Sequence, residues 1–182
     1  MYSRLSKLLK EREKSFVAEK NSALEIAAVL VLLHRQNGED HILFTKRTET
    51  VAHHKGQICF PGGVQDKNDA DLWTTALRET EEELGIAPFS VSYIGALAPM
   101  VTPTGFQVFP FVASLASPLT VSPSPHEIAE VFSVPFSHLR DPKNFKFRKF
   151  LPSTYEGPVF VYGTHEIWGV TARILVQLME VY

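Results

Sequence analysis

The stretch TALRETEEELGI, residues 75–86, contains an arginine followed by four glutamates: Arg78, Glu79, Glu81, Glu82 and Glu83. Apolar residues at helical spacing predict an α-helix from about Asp71 to Leu84, and Gly85 is a natural stop for it. Like charges this close together repel one another, and at the C-terminal end of a helix the macrodipole adds to the cost. A helix of this kind calls for a cation beside its carboxylates.

Three of the four carboxylates are predicted to point the same way. At about 100° per residue, Glu79, Glu82 and Glu83 fall on one arc of the helix, beside its apolar stripe. Glu81 points away from them. Arg78 can pair with Glu82, but one guanidinium cannot neutralise three carboxylates. Oxygen ligands on a rigid helix suit Mg²⁺ or Mn²⁺, which leave other coordination positions to water and substrate phosphate. The alternative is a solvated acidic face without a metal.

Composition favours one globular domain and excludes several classes of protein. The chain has 182 residues, of which 45% are apolar, so it can bury one sizeable core. Its 18 basic and 20 acidic residues are spread along the sequence, which marks neither a nucleic-acid binder nor a membrane-surface binder. Cys59 is the only cysteine, so no intrachain disulfide forms. No apolar run approaches a membrane span or a signal peptide, and we expect a cytoplasmic protein.

The rest of the chain reads as strands with few helices. Residues 23–33 and 41–47, separated by a turn-like RQNGED, predict a hairpin whose first strand is buried on both faces. Residues 106–115 predict a further strand, and apolar spacing predicts a final helix over residues 168–181. The basic stretch KNFKFRKF, residues 143–150, is interpreted as an amphipathic strand, with phosphate or nucleic-acid contact as the alternative. This pattern predicts an α/β fold with a mixed sheet covered by helices.

The segment from Gly63 to Ile86 resembles the signature box of the Nudix hydrolases. The matching residues are Gly63, Arg78, Glu79, Glu82, Glu83, Gly85 and Ile86. Asp69 stands at the first acidic position of the box, the following gap is one residue longer, and Thr80 replaces an apolar residue. The resemblance implies an α/β/α sandwich around a mixed sheet and Mg²⁺-dependent cleavage of a diphosphate. We expect a Nudix domain over residues 21–182, preceded by a helical appendage over residues 1–20, where Leu5, Leu8 and Leu9 recur at helical spacing.

The segment before the box resembles the coenzyme A pyrophosphatase branch of that family. The aligned positions are Leu43, Thr45, Arg47, Gly56, Phe60, Pro61, Gly62 and Gly63. Ala52 departs from the branch, which has an arginine there, and His53 and His54 follow it. The resemblance implies coenzyme A or a derivative as the small-molecule substrate. Another nucleoside diphosphate derivative is the alternative, as is a catalytically silent Nudix-fold binding module, although a pure binder has no need of these carboxylates.

The resemblance and the helix geometry together give each candidate residue a role. The expected metal ligands are Glu79, Glu82, Glu83 and the backbone carbonyl of Gly63 or its neighbour. The expected catalytic set is Glu82, Glu83, Arg78 and Glu127. In that set Arg78 holds the carboxylates in place, and Glu127 from a downstream loop is either a general base or a solvent-facing residue. The expected substrate-binding residues are Arg47, His53, His54, Phe60 and Gly62, with the two histidines as ordinary loop residues in the alternative.

The directions in which the glutamates point around the helix lead to a first prediction. Glu79→Gln and Glu83→Gln should each lower kcat by more than about tenfold, because each removes a ligand charge from the cation that stabilises the transition-state oxygens. Glu81→Gln should leave kcat within a few-fold, since its charge lies outside the shared arc. Steady-state kinetics at saturating Mg²⁺ measure all three variants. If kcat fell as much in Glu81→Gln as in Glu83→Gln, the predicted directions of the glutamates around the helix would be wrong.

Overall fold

The long strand β1 (Glu25–Gln36) is the centre of an eight-stranded mixed sheet. The structure is a computed structural model that describes residues 2–14, 23–50, 55–115, 119–150 and 156–182. One edge of β1 pairs along its length with β7 (Phe106–Leu115), in parallel. The other edge pairs antiparallel with β4 (Gly62–Val64) near its start and with β2 (Glu39–Arg47) near its end. Alternate side chains of β1 are buried on the two faces of this sheet, which explains why β1 is an almost continuous apolar run.

The remaining strands of this sheet extend it from β2 and β7. The turn between β1 and β2 contains Asn37 and Gly38, both with positive φ, as a tight hairpin turn requires. Strands β3 (Ile58–Cys59) and β8 (Ile128–Pro135) pair with β2. Strands β5 (Val91–Ala96) and β6 (Met100–Val101) pair with β7. The predicted hairpin is therefore confirmed as part of a larger sheet.

Helices cover both faces of the sheet. Ala28, Leu30 and Leu32 of β1 are fully buried in the apolar cluster beneath helix α2 (Leu72–Leu84). Val31 and Leu33 belong to the opposite cluster, which also contains residues of α1 (Ser3–Glu13) and α4 (Gly169–Met179). Alternate side chains of one strand thus support the two halves of the core. The predicted α/β/α sandwich with a mixed sheet is confirmed.

A smaller sheet follows the short helix α3 (Phe136–Arg140) and lies beside α4. Its strands are β9 (Phe145–Lys149), β10 (Glu156–Tyr162) and β11 (His165–Ile167). Lys146 and Arg148 of β9 both pair with Glu166 of β11. The predicted strand is confirmed, but its amphipathic character is not, because Phe147 is 61% exposed and exposure does not alternate along the strand. Two of its cations are engaged by an acidic side chain of the same sheet.

Helix α1 packs on strand β5 and contributes Leu5 and Leu9 to the main core. A Cβ atom at Gly95 of β5 would overlap the Leu9 side chain, so glycine allows the close approach of this helix. The proposed boundary near residue 20 falls in residues 15–22, outside the described residues, and stays a prediction. None of the helices in the described ranges is both long and apolar enough to cross a membrane.

Candidate active site

Helix α2 begins and ends close to where its sequence predicts. The Asp71 side chain caps the N-terminus by accepting a 2.7 Å hydrogen bond from the Thr74 amide. Gly85 ends the helix in a left-handed conformation, with φ of 68°, and its amide bonds to the Glu81 carbonyl. These two caps fix which residues face the sheet and therefore where the glutamates point.

The Gly62–Gly63 pair brings strand backbone directly against the acidic helix. Gly62 has φ of 148°, and a Cβ there would overlap the carbonyl oxygen of Ala28 on β1. A Cβ at Gly63 would overlap the Glu79 carboxylate. Only glycine at both positions lets β4 pass between the central strand and the side chains of the helix. The backbone at Gly62 and Gly63 consequently lies against the carboxylates of Glu83 and Glu79.

Glu83 is the most deeply buried carboxylate of the site, with 2% of its side chain exposed. One of its oxygens, Oε1, accepts a 2.9 Å hydrogen bond from Nη1 of Arg47. The other, Oε2, accepts a 3.2 Å hydrogen bond from the amide of Gly62. Burial raises the pKa of Glu83 to about 7, and the positive charge of Arg47 acts in the opposite direction. The carboxylate thus has a fixed orientation in a poorly hydrated position.

Arg47 lies between Glu83 and Glu127. The pairing of β2 with β8 shifts register between Lys46 and Arg47, and such a bulge turns the following side chain out of the regular alternation. Nη2 of Arg47 is 3.8 Å from Oε2 of Glu127. Its Nε is buried and has no hydrogen-bond partner among the described residues. Sequence reasoning assigned Arg47 to substrate binding and missed its contact with Glu83, because no local pattern links residues this far apart.

Arg78 connects the remaining carboxylates of the helix. Its Nη1 lies 2.8 Å from Glu79 and 3.1 Å from Glu82, so the predicted Arg78–Glu82 pair is present. Its Nε and Nη2 donate to the two oxygens of Asp69 at 3.0 and 3.1 Å. Nη2 also donates to the carbonyl of Val64 at 3.2 Å. A single planar guanidinium therefore links α2 to the loop before it and to β4.

Two departures from the signature box have local explanations. Asp69 occupies the first acidic position and, besides binding Arg78, accepts a 2.9 Å hydrogen bond from the Thr75 hydroxyl. Hydrogen bonds from Arg78 are the main reason why the pKa of Asp69 falls to about 2. Thr80 is fully buried at a usually apolar position, where its hydroxyl donates to the Ala76 carbonyl at 2.7 Å. The hydroxyl is thus satisfied within the helix.

The segment from Ser122 to Glu127 caps the C-terminal end of α2. The amides of Ser122 and Ser124 donate to the carbonyls of Leu84 and Glu83, at 2.7 and 2.9 Å. The carbonyl of Ser124 in turn accepts a 3.1 Å hydrogen bond from the Glu127 amide. Terminal helix carbonyls need such partners. This cap, which the sequence did not reveal, places Glu127 at a fixed distance from Glu83.

A cavity of about 420 Å³ lies beside these groups. Six predicted site residues line it: Arg47, Phe60, Gly62, Gly63, Glu79 and Glu127. Glu83 is behind this surface, and Glu82 is on the outer side of Arg78 with 57% of its side chain exposed. His53 and His54, like Ala52, lie outside the described residues. The structure therefore assembles most of the predicted site around one opening.

The donor chemistry of this site fits a hard divalent cation. Among the described residues, no three acidic, histidine or cysteine side chains are gathered closely enough to hold a metal as they stand. Glu79 and Glu82 bind Arg78, and Glu83 binds Arg47. Carboxylate oxygens on one helix, next to the carbonyls of a glycine turn, are nonetheless the ligand type that Mg²⁺ and Mn²⁺ prefer. To bind such a cation, Glu79 and Glu82 would exchange their contact with Arg78, and Glu83 its contact with Arg47, for the metal.

Several known proteins are similar in sequence to this chain. The profile of the NUDIX domain matches residues 24–154. The mitochondrial coenzyme A diphosphatase NUDT8 of Homo sapiens is 39% identical over 154 residues, which are 81% of this chain and 65% of the human protein. The chain thus spans less than two thirds of that relative's length. The uncharacterized Nudix hydrolase NudL of Photorhabdus laumondii is 37% identical over 141 residues, which are 76% of this chain and 75% of that protein.

Solved structures share the fold at lower identity. The MutT/nudix family protein from Enterococcus faecalis superposes with a TM-score of 0.57 at 15% identity, covering 97% of this chain and 68% of that chain. At this identity the likeness concerns the arrangement of helices and strands alone. It agrees with the sandwich described above.

The cap on α2 generates a prediction about Glu127. Ser124→Pro should lower kcat at least about fivefold, because proline lacks the amide that bonds to the Glu83 carbonyl and so releases the segment that carries Glu127. Ser124→Ala keeps that amide and should retain kcat within about twofold. Steady-state kinetics and thermal unfolding of both variants provide the measurement. Wild-type kcat in a folded Ser124→Pro protein would mean that the cap does not position Glu127.

The Arg78–Asp69 contact generates a prediction about pH. Asp69→Asn should lower the free energy of unfolding at pH 7 by about 1.5 to 3 kcal/mol, as is typical when a hydrogen bond to a charged group is lost. The pKa of Asp69 is about 2 in the folded protein and about 3.9 in an unfolded chain. Its stabilisation is therefore complete above about pH 4 and disappears as the pH falls through about 2.

Denaturant unfolding at pH 7, 4 and 2 measures this difference. Asp66→Asn is the control, because Asp66 is exposed and does not contact Arg78. If the difference in free energy of unfolding between wild type and Asp69→Asn stayed constant down to pH 2, the stabilising role of the ionised Asp69 carboxylate would be contradicted.

Proposed function

The chain belongs to the Nudix hydrolase family, a family of pyrophosphatases, and we propose that it hydrolyses the diphosphate bond of coenzyme A or a derivative. The expected products are phosphopantetheine and adenosine 3′,5′-bisphosphate. The observation that carries the proposal is the approach of Glu79 and Glu83 to the Gly62–Gly63 turn, beside Arg47 and next to a cavity. Diphosphate hydrolysis needs these groups in one place, since it develops charge on phosphoryl oxygens.

The carboxylates of α2 would hold the divalent cation. Glu79 and Glu83, one helical turn apart, are the principal ligands by position, and Glu82 completes the set from the outer side of Arg78. The carbonyl of Gly62 or Gly63 would contribute a further oxygen. When bound, Mg²⁺ or Mn²⁺ supplies neutralisation of the charge on the diphosphate oxygens. Arg78 keeps Glu79 and Glu82 oriented through direct contacts with both carboxylates.

Glu127 is the proposed general base. It lines the cavity, keeps 47% of its side chain exposed and lies outside the acidic helix. A general base must reach a water molecule that is in line with the scissile bond. A carboxylate on a segment separate from the metal ligands can approach that water from another direction. Its amide and carbonyl are both hydrogen-bonded, to Ser124 and Thr48, so the backbone at this position is well fixed.

Arg47 is proposed to bind a substrate phosphate while it supports Glu83. Nη1 binds the buried carboxylate of Glu83 and Nε is itself buried, so Nη2 is the nitrogen that remains for a substrate phosphate at the wall of the cavity. Charge-assisted hydrogen bonds from a guanidinium to phosphate oxygens are strong and can use two nitrogens at once. The residue would thus bind substrate and orient a metal ligand with one planar group.

Coenzyme A is favoured as the substrate by two observations, both of which rest on sequence similarity. The motif before the signature box resembles that of the coenzyme A branch, and one similar protein is named a coenzyme A diphosphatase. Ala52 favours the second candidate, another nucleoside diphosphate derivative such as ADP-ribose or a nucleotide sugar, because it removes an expected phosphate contact. A silent binding module is opposed by the intact set of Glu79, Glu82 and Glu83.

Mg²⁺-dependent turnover of a substrate panel tests this function. We expect kcat/KM for coenzyme A to exceed the values for ADP-ribose and a nucleotide sugar, with product analysis showing phosphopantetheine. A large preference for ADP-ribose or a nucleotide sugar would reject coenzyme A as the substrate. No turnover on any member of the panel would leave the binding module as the function.

Ala52 provides a sharper prediction within that panel. Ala52→Arg should lower KM for coenzyme A by about tenfold or more, because a charged contact to phosphate is commonly worth about 1.5 to 3 kcal/mol. The KM for dephospho-coenzyme A should fall less than the KM for coenzyme A if the new arginine reaches the 3′-phosphate. Ala52→Gln adds a side chain without the charge and should leave KM nearly unchanged. Equal KM values for Ala52→Arg and wild type would remove this position from the phosphate site.

A further inference from the structure

The cavity beside the acidic helix has a second, apolar end. We define the apolar arm by five side chains from three elements: Val29 of β1, Phe106 and Val108 of β7, and Val170 and Ile174 of α4. The charged lining is provided by Arg47, Glu79 and Glu127, and Arg47 belongs to β2, which lies on the other side of β1 from β7. Both ends belong to one continuous space, so a single ligand can reach from the charged groups into the apolar arm.

The apolar arm is formed by side chains of regular strands and a helix. β1 and β7 run side by side in parallel, which places Val29 and Val108 on neighbouring strands. Val170 and Ile174 are one helical turn apart and share the face of α4 that looks onto these strands. Val108 and Ile174 are buried, whereas Val29, Phe106 and Val170 are only half-buried. The arm therefore presents half-buried apolar side chains to a ligand, and these side chains lie beside buried ones.

The charge distribution separates the two ends. Among the described residues that line the cavity, Arg47 is the one cation, and it lies at the end that also contains Glu79 and Glu127. The other polar side chains that line the cavity, those of Gln57, Thr102 and Thr171, are uncharged. A phosphate-bearing nucleoside placed in the arm would lose its hydration without gaining a cation in exchange. An uncharged chain with methyl groups and a few amides would instead bury apolar area at little cost.

We propose that the apolar arm binds the pantetheine half of the substrate and that Val170 is a specificity-determining residue for it. The inference rests on the proposed coenzyme A function and adds the orientation of the molecule. The diphosphate lies at the charged end, the branched dimethyl group and the amides of pantetheine extend over Val170, and the adenosine half points away from α4. Nucleoside diphosphate sugars lack such an apolar half and cannot use the arm.

Binding of the two product halves tests the orientation without depending on turnover. Calorimetric titrations of the full chain with Mg²⁺ use 4′-phosphopantetheine and adenosine 3′,5′-bisphosphate as probes. Val170→Asn should raise the Kd of phosphopantetheine about tenfold, equivalent to about 1.4 kcal/mol. The Kd of the adenosine bisphosphate should change less than about twofold. The asparagine is uncharged, so any effect on phosphate binding through charge is excluded.

Two further variants keep the test independent of folding. Val170→Thr is nearly isosteric and should raise the Kd of phosphopantetheine about threefold even if the asparagine variant is unstable. Val176→Asn places the same substitution on the same helix at a half-buried position outside the cavity, and it should leave both Kd values unchanged.

The outcomes separate the orientation from the function. Loss of adenosine bisphosphate affinity in the Val170 variants, with phosphopantetheine unaffected, would place the nucleotide in the arm and overturn the inference. Unchanged binding of both probes, or no binding of phosphopantetheine to wild type, would also overturn it. Failure of wild type to hydrolyse coenzyme A, combined with the expected Val170 effect on phosphopantetheine, would reject the function and keep the subsite.

Discussion

The buried carboxylate of Glu83 is the contact on which the rest of the site depends. It joins three elements that are distant in the sequence, since it belongs to α2 and binds Arg47 from β2 and the Gly62 amide from β4. A carboxylate in such a position is stable only when its hydrogen-bond partners are in place. The strand bulge before Arg47 and the unusual backbone of Gly62 both serve this requirement.

The arginines explain how one helix tolerates so many acids. Arg47 and Arg78 approach the carboxylates from opposite sides, one through the sheet and the other from the helix itself. Arg78 is anchored in turn by Asp69, which ties the helix to the loop before it. Like-charge repulsion in the acidic stretch is therefore offset locally. The carboxylates of Glu79 and Glu83 nevertheless remain next to the backbone of Gly62 and Gly63.

The two ends of the cavity combine charge chemistry with apolar recognition. The charged end depends on α2, β4 and the capping segment, and this segment couples Glu127 to the end of the acidic helix through Ser124. The apolar arm depends on the parallel pair β1 and β7 and on α4. A substrate with one charged part and one apolar part can engage both ends at once. This division supports a two-part molecule such as coenzyme A more than a nucleotide sugar.

The sequence by itself determined the acidic helix, its ends and its family. Helix caps and the spacing of glutamates are local features, so residues 71–86 specify them without help from the rest of the chain. The same holds for the hairpin of β1 and β2, whose turn and apolar runs are adjacent in sequence. The resemblance to the Nudix signature rests on this local information and is confirmed by the family comparison.

Only the tertiary structure decided what surrounds the helix. The contact between Arg47 and Glu83, the cap from Ser124 and the parallel pairing of β1 with β7 all join distant segments. No periodicity in one segment encodes its partner in another, because such pairs are selected by the packing of the whole core. Val170 is an example: its spacing predicted a helix face, but only the folded chain places that face above a cavity that begins at the acidic helix.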